Sequence, residues 1–232
     1  MHGFQIHRRD SVAPNALVER FRQIPVANVS DVMSRMTAGG SRLRPMHDGT
    51  PLAGIALTVK TRPGDNLMIH QAIDMAGPGD VIVVDAGGDL TNSLMGEMMM
   101  NYAASRGIAG FVLDGAIRDA AVIRAGSLPI FAAGVTHRGP YKDGPGEINC
   151  PIAVDGMVIA SGDIILGDDD GVLCIPQSQA EAILTAAEEK CAAEERTRLA
   201  IAEGRLNRDW VMAALHRQGC AFPPPDADRL AS

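Results

Sequence analysis

Aromatic residues are scarce in this 232-residue chain: one Trp, two Tyr and five Phe make up 3% of it. Single strands of nucleic acid are gripped by stacking bases on aromatic faces along a basic groove. This chain lacks both, since its net charge is -7 and its pI about 5.3. Nucleic acid is therefore not an expected partner. The four cysteines, Cys150, Cys174, Cys191 and Cys220, form no CxxC pair and no Cys/His cluster. That argues against zinc and disulfide frameworks and leaves reduced thiols in a cytoplasmic protein as the expectation. No apolar stretch approaches the roughly 20 residues of a membrane span. The opening Met-His-Gly-Phe-Gln-Ile-His-Arg-Arg-Asp has no apolar secretory core, so neither a membrane nor export is expected. Lysine is limited to Lys60, Lys142 and Lys190. A Schiff-base amine thus has few candidates, of which Lys60, in a strand, is the one to test. No histidine stands at metal-binding spacing from another.

What the chain does have is apolar residues, 46% of the total, enough for a real core. Two helical pieces are expected early, Asn15 to Gln23 and Asp31 to Met36, the second capped by Ser30 and ended by Gly39 and Gly40. Gly54 to Arg62 reads as a strand with polar residues alternating outward, followed by a helix from Asn66 to Met75. The central unit is a strand at Val81 to Asp85, a loop through Gly87 and Gly88, a helix from Gly96 to Arg106 and a strand at Ala109 to Leu113. Its Val/Ile-rich first strand, without alternation, suits a sheet covered on both faces. Residues 137 to 146 read as a loop. Strands resume at Ile148 to Ala153, Met157 to Ala160, Ile164 to Leu166 and Val172 to Ile175. The segments beginning Gly79-Asp80 and Gly162-Asp163 share Gly, Asp, Ile, Asp and Gly in register and suggest two similar sheet corners. From Ser178, paired with Glu181 in a capping box, one long helix runs to Ala202 and closes before Gly204. The organisation expected is an α/β catalytic domain over residues 1-176, with residues 177-232 as a C-terminal helix and tail at an oligomer interface.

Parallel strands joined by a helix bring the helix N-terminus to the edge where both strands end, which is where open α/β sheets bind ligands. Gly96, Glu97, Met98 and Met99, at the start of one helix, should therefore face the Arg118-Asp119 pair across one crevice. First-turn amides lack intrahelical acceptors and attract carboxylates, and Gly96 lets an anion approach the backbone. Arg118 offers two parallel donors to a carboxylate or keto oxygen. Asp119 offers the hard oxygen that Mg²⁺ or Mn²⁺ prefers. The acidic run Asp168 to Asp170 before Gly171 reads as turn chemistry instead, because consecutive side chains cannot all point at one ion.

Gly96-Glu97, twenty residues, and Arg118-Asp119, set within Gly107-x-x-Gly110-x-x-x-Asp114-Gly115-x-x-Arg118-Asp119, resemble the family of 4-hydroxy-4-methyl-2-oxoglutarate/4-carboxy-4-hydroxy-2-oxoadipate aldolases. That family also contains the regulator of ribonuclease E activity A. The similarity runs from about Val26 to Ile175. It implies a three-layer β/β/α sandwich, swivelling-domain-like, assembled as a trimer or a dimer of trimers. It further implies a class II pyruvate aldolase with Mg²⁺ or Mn²⁺ held by Asp119, Arg118 on the substrate's keto oxygen, and Gly96 to Met99 cradling a small 2-keto acid. Oxaloacetate decarboxylation is the implied side activity. Family members often carry leucine where Met98 and Met99 stand, which a role played by backbone amides would survive. In the aldolases a glutamate from an adjacent subunit's C-terminal region assists the metal through water; Glu188, Glu189, Glu194 and Glu195 are the candidates here. The alternative from another class is a non-catalytic protein that regulates a ribonuclease by docking. Asp119 together with the acidic residue at 97 favours the enzyme.

Overall fold

The computed structural model describes residues 3-36, 39 and 41-222. In chain order the elements are β1 (Phe4–Ile6), α1 (Asn15–Phe21), α2 (Val26–Val32), β2 (Arg44–Pro45), β3 (Leu52–Thr61), α3 (Leu67–Met75), β4 (Asp80–Met95), α4 (Glu97–Ser105), β5 (Gly110–Ile117), α5 (Ala120–Ala125) and β6 (Ile130–Val135). After these come β7 (Gly146–Ile148), β8 (Ile152–Val154), β9 (Met157–Ile159), β10 (Ile164–Asp168), β11 (Gly171–Ile175), a 3₁₀ turn at Gln177–Gln179, α6 (Ala180–Ala202) and α7 (Asp209–Arg217). The fold is α/β, built on a large sheet ordered β1-β7-β3-β4-β5-β6-β2, with the β10-β11 hairpin attached to β3. Strands β3, β4, β5 and β6 run parallel, each joined to the next through one of α3, α4 and α5.

Alternate residues of these strands feed two cores, which is why the strands read as unbroken apolar runs. Ile82, Val84, Phe111 and Leu113 pack with Ile69 and Ile73 of α3, Met100 and Ala103 of α4 and Ile123 of α5. Their neighbours Val81, Val83 and Val112 face the other way, onto Ile152, Val154, Met157 and Ile159 of the β8-β9 hairpin. The layers are thus helices, central sheet and a smaller β layer. A third cluster joins α1, α2 and the first turns of α6 to β3, β10 and β11.

The chain divides into two compact units, Met1–Cys191 and Ala192–Ser232, so the first turns of α6 belong with the first unit. The reason is that Ala180, Ile183, Leu184 and Ala187 are buried in that third cluster. In the second unit, α7 has no buried residue. No helix among the described residues is long and apolar enough to cross a membrane.

The structure redraws several local expectations. Helix α2 begins at Val26, so Ser30 lies inside it; Pro25 precedes it and the Val26 N–H donates to Asp168 Oδ2 at 2.9 Å. The expected span of 31 to 36 is where the helix unwinds, with Ser34 and Arg35 left-handed at φ 58° and 59°. Gly40 lies outside the described residues. Only Lys60 of β3 is exposed, because both faces of the strand are covered; Thr58, fully buried, donates its hydroxyl to Cys150 O at 2.7 Å. Strand β4 does not leave the sheet at Gly87 and Gly88. It continues to Met95 through successive shifts of register against β5. The stretch expected as one strand from Ile148 splits into β7 and β8.

All four cysteines are free thiols. Burial, with Asp163 3.7 Å from its sulfur, pushes the Cys174 thiol far above the usual range. A thiol reagent is accordingly expected to modify the exposed Cys220 in the native protein and Cys174 only on unfolding, which mass spectrometry of alkylated peptides would check.

Candidate functional site

Strands β4 and β5 end side by side: Met95 pairs with Ile117, and the Arg118 N–H donates to Met95 O at 3.0 Å. The next residues along each strand are therefore neighbours. On one strand they are Gly96 and the start of α4; on the other, Arg118 and Asp119. Asp119 adopts a left-handed conformation, φ 57° and ψ 35°, which is uncommon outside glycine and costs about 1 kcal/mol or more. Its carboxylate points back at α4, where Oδ2 accepts the Glu97 N–H at 2.9 Å. Asp119 thus caps a helix whose own cap residue, Gly96, has no side chain to do so.

Gly96 is extended, at φ -152° and ψ -167°, a conformation open to any residue. Space is what demands glycine: a Cβ there would collide with Asp119 Oδ2 and stand 3.0 Å from Arg118 Cγ and 3.2 Å from Arg118 Nε. Arg118 Nε is 3.7 Å from Asp119 Oδ2. Asp119 Oδ1 accepts no hydrogen bond among the described residues, and both side chains are partly exposed.

A cavity of about 210 Å³ opens beside this junction. Gly96, Met98, Met99 and Arg118 line it, while Glu97 and Asp119 do not. Asp119 instead lines an adjoining hollow beside Val135 to His137, and Arg118 belongs to both. The Glu97 N–H is spent on Asp119, so the amides without intrahelical acceptors are those of Met98 and Met99; Met100 N–H already bonds Gly96 O at 3.1 Å.

The cavity also gathers residues that motif reasoning missed: Asn66 and His70 from α3 and its N-cap, and Lys142 from the 137-145 loop. Asn66 donates to Leu94 O at 2.9 Å and toward Met99 Sδ at 3.4 Å, while its Oδ1 is buried without a partner. Such an orphaned acceptor is unusual in a protein interior and marks a place where a water or ligand donor belongs. The spacing of Asn66 and His70, four apart on one helical face, was the signal available in the sequence. Lys142 arrives through Asp65, a fully buried carboxylate that caps α3 by accepting the Leu67 N–H and holds the loop by accepting the Asp143 and Gly144 N–H groups. Charged lining side chains of the cavity are Arg118 and Lys142, and no carboxylate lines it. Burial, then Lys142, hold the His70 pKa below the ordinary histidine range, with Asp74 opposing.

Other candidates lie elsewhere. Lys60 borders a different hollow with Arg62 and Glu147. Asp168 Oδ1 and Oδ2 take the N–H groups of Asp170 and Val26, which is turn and capping chemistry. Glu188 is held by Arg20 through hydrogen bonds of 2.7 to 3.0 Å, and Glu195 pairs with Arg198.

The family model described as RraA-like, Aldolase/RraA, matches residues 26-174. The chain belongs to the RraA-like family. Among relatives, this RraA-like chain is 42% identical over 186 residues to a protein of Halalkalibacterium halodurans provisionally named a 4-hydroxy-4-methyl-2-oxoglutarate aldolase, covering 80% of this chain and 89% of that one. Among solved structures, an uncharacterized protein from Pseudomonas syringae superposes with TM-score 0.75 at 25% identity, over 84% of this chain and 96% of that one. The RNA-processing inhibitor RraA of Thermus thermophilus gives 0.62 at 28%, over 66% and 93%. The matched segment contains β3 to β6 and every residue of the cavity.

Proposed function

We propose that this chain is a divalent-metal-dependent class II aldolase that cleaves 4-hydroxy-4-methyl-2-oxoglutarate, or a related 4-hydroxy-2-oxo acid, to pyruvate and also decarboxylates oxaloacetate. The observation that carries this is the meeting of Arg118, Asp119 and the unpaired amides of Met98 and Met99 around Gly96, beside a cavity with cationic and no carboxylate lining groups. The aldolase names of relatives support it.

The Met98 and Met99 amides at the N-terminus of α4 would hold the keto acid's carboxylate, where the helix dipole also favours negative charge. Arg118 would donate to the C2 oxygen, which gains negative charge as the C3–C4 bond breaks. A preorganised guanidinium at that point stabilises the transition state more than the ground state, which is the condition for raising kcat. Decarboxylation of oxaloacetate passes through the same enolate and needs no other binding group. Asp119 Oδ1 is the oxygen available to a cation, and Glu97 stands beside it. The described residues contain no cluster of three His, Cys, Asp or Glu able to enclose a metal. One carboxylate with open positions for water and substrate suits Mg²⁺ or Mn²⁺ better than a metal needing a closed cage. When bound, such an ion supplies Lewis-acid stabilisation of the developing charge.

The family's trimeric assembly, or a dimer of trimers, is the oligomer proposed, with a C-terminal glutamate reaching a neighbouring site; light scattering measures the first. The second reading is a protein that regulates a ribonuclease by contact, favoured by the likeness to the Thermus RraA. A shared fold alone does not assign a function. The purified protein is expected to release pyruvate from 4-hydroxy-4-methyl-2-oxoglutarate and from oxaloacetate with Mg²⁺ or Mn²⁺, and to stop on chelation. Turnover unaffected by chelator would refute the metal, and no turnover across a panel of 2-keto acids would favour the docking protein.

A further inference from the structure

His70 reaches the cavity from α3, one turn beyond Asn66, and its ring makes no hydrogen bond to a described residue. Aldol cleavage requires a group to take the C4 hydroxyl proton, and that group must stand in the cavity with a basic lone pair to offer. Arg118 and Lys142 only donate. The amide of Asn66, the hydroxyl of Ser93 and the thioethers of Met98 and Met99 are too weakly basic. The carboxylates of Glu97 and Asp119 are outside the lining.

His70 is what remains. Two charged groups act on this histidine, Lys142 from the 137-145 loop and Asp74 from α3 itself, and Arg118 lines the same cavity from the end of β5. Partial burial first, and then Lys142, outweigh Asp74 and favour the neutral imidazole, the form that can accept a proton.

We propose that His70 is the acid-base residue of this cavity, taking the C4 hydroxyl proton as the C3–C4 bond breaks and returning it to C3. The assignment rests on the aldolase reading. In the first step the O–H electron pair becomes the second C4–O bond, releasing one pyruvate when the substrate is 4-hydroxy-4-methyl-2-oxoglutarate. The C3–C4 pair moves into a C2–C3 double bond, with the negative charge on the keto oxygen. In the second step the imidazolium proton passes to C3, giving the second pyruvate and restoring the neutral ring.

Oxaloacetate has no C4 hydroxyl, and its loss of CO₂ starts without a base. The two substrates therefore separate the proposed role from a structural one. In His70→Gln and His70→Asn, checked for native circular dichroism, the kcat for 4-hydroxy-4-methyl-2-oxoglutarate cleavage should fall roughly 10²-fold. Oxaloacetate decarboxylation, which calls on the ring only for protonation at C3, should fall far less than cleavage, and the acid limb of the parent's kcat/KM profile for cleavage should disappear. Undiminished cleavage by either variant overturns the role of His70 and leaves the aldolase reading standing. Equal loss of both activities with the acid limb retained also overturns it, in favour of a structural role. A parent protein that cleaves neither substrate overturns the aldolase reading, and His70 with it.

Discussion

Asp119→Asn is expected to lose roughly 10³-fold in kcat/KM while keeping the fold, because the two duties of this side chain depend on different properties. Capping α4 requires an acceptor oxygen at the Glu97 N–H, which an asparagine amide supplies. Asparagine is also among the residues that best tolerate the left-handed conformation found at 119. Holding a divalent cation requires the negative charge, which it lacks. The melting temperature should thus change little, and the Mg²⁺ concentration for half-maximal rate should rise sharply. Gly96→Ala attacks the same pair from the opposite side. Its Cβ would push Asp119 Oδ2 outward by about 1 Å and crowd Arg118 Cγ and Nε, and a displacement of that size can cost around 10²-fold in rate. The nearest obstructing atom is the end of a partly exposed side chain that can swing aside, so overpacking should cost no more than about 1–3 kcal/mol. Steady-state kinetics beside thermal melts would separate the effects. An Asp119→Asn protein as active as the parent at low Mg²⁺ would remove Asp119 from metal binding.

The β4-α4-β5 unit was legible because its signals are local: unbroken apolar runs, a glycine before an acidic first turn, and glycine after the last turn. Those signals also placed Arg118-Asp119 beside Gly96, since parallel strands leave a crossover helix little freedom. The repeated Gly-Asp corners were legible for the same reason. Gly79 and Gly162 both have positive φ, 86° and 100°. Asp80 and Asp163 each accept the N–H three residues back at 2.9 Å, from Gly77 and Ala160. Yet β4 and β10, which follow these corners, pair with β3 in parallel and antiparallel fashion respectively. Identical local chemistry does not set strand direction.

What was illegible is held by partners distant in sequence. The start of α2 depends on Asp168, 142 residues away, whereas the adjacent residues suggest Ser30 as a cap. The passage of β4 beyond Gly88 depends on pairing with β5, which no propensity encodes. His70 and Lys142 share no motif with Arg118. They meet it because α3 borders the same edge and because one buried aspartate ties the loop down.

That aspartate gives the second large effect. Asp65→Ala should destabilise the protein by about 2–4 kcal/mol and also raise KM for the keto acid. The carboxylate accepts the Leu67 N–H at 2.9 Å on one oxygen and the Asp143 and Gly144 N–H groups at 2.8 and 3.0 Å on the other. Arg62 adds a fourth donor at 3.0 Å, but its side chain is 43% exposed, so that ion pair contributes little. The cost concentrates on the amides. Asp143 is exposed and water can replace its acceptor, whereas Gly144 is buried and Leu67 partly so. The loop would not detach altogether, because Tyr141 N–H still reaches Gly64 O at 2.9 Å and Asn66 N–H reaches Tyr141 O at 3.0 Å. Freedom would be gained first at residues 142 to 144, which carry Lys142 away from the cavity. Urea denaturation should report the stability loss, and limited proteolysis should find new cleavage near Lys142. The KM increase should appear even at temperatures where Asp65→Ala is fully folded. A loss of stability with unchanged KM would mean that Lys142 does not contribute to binding.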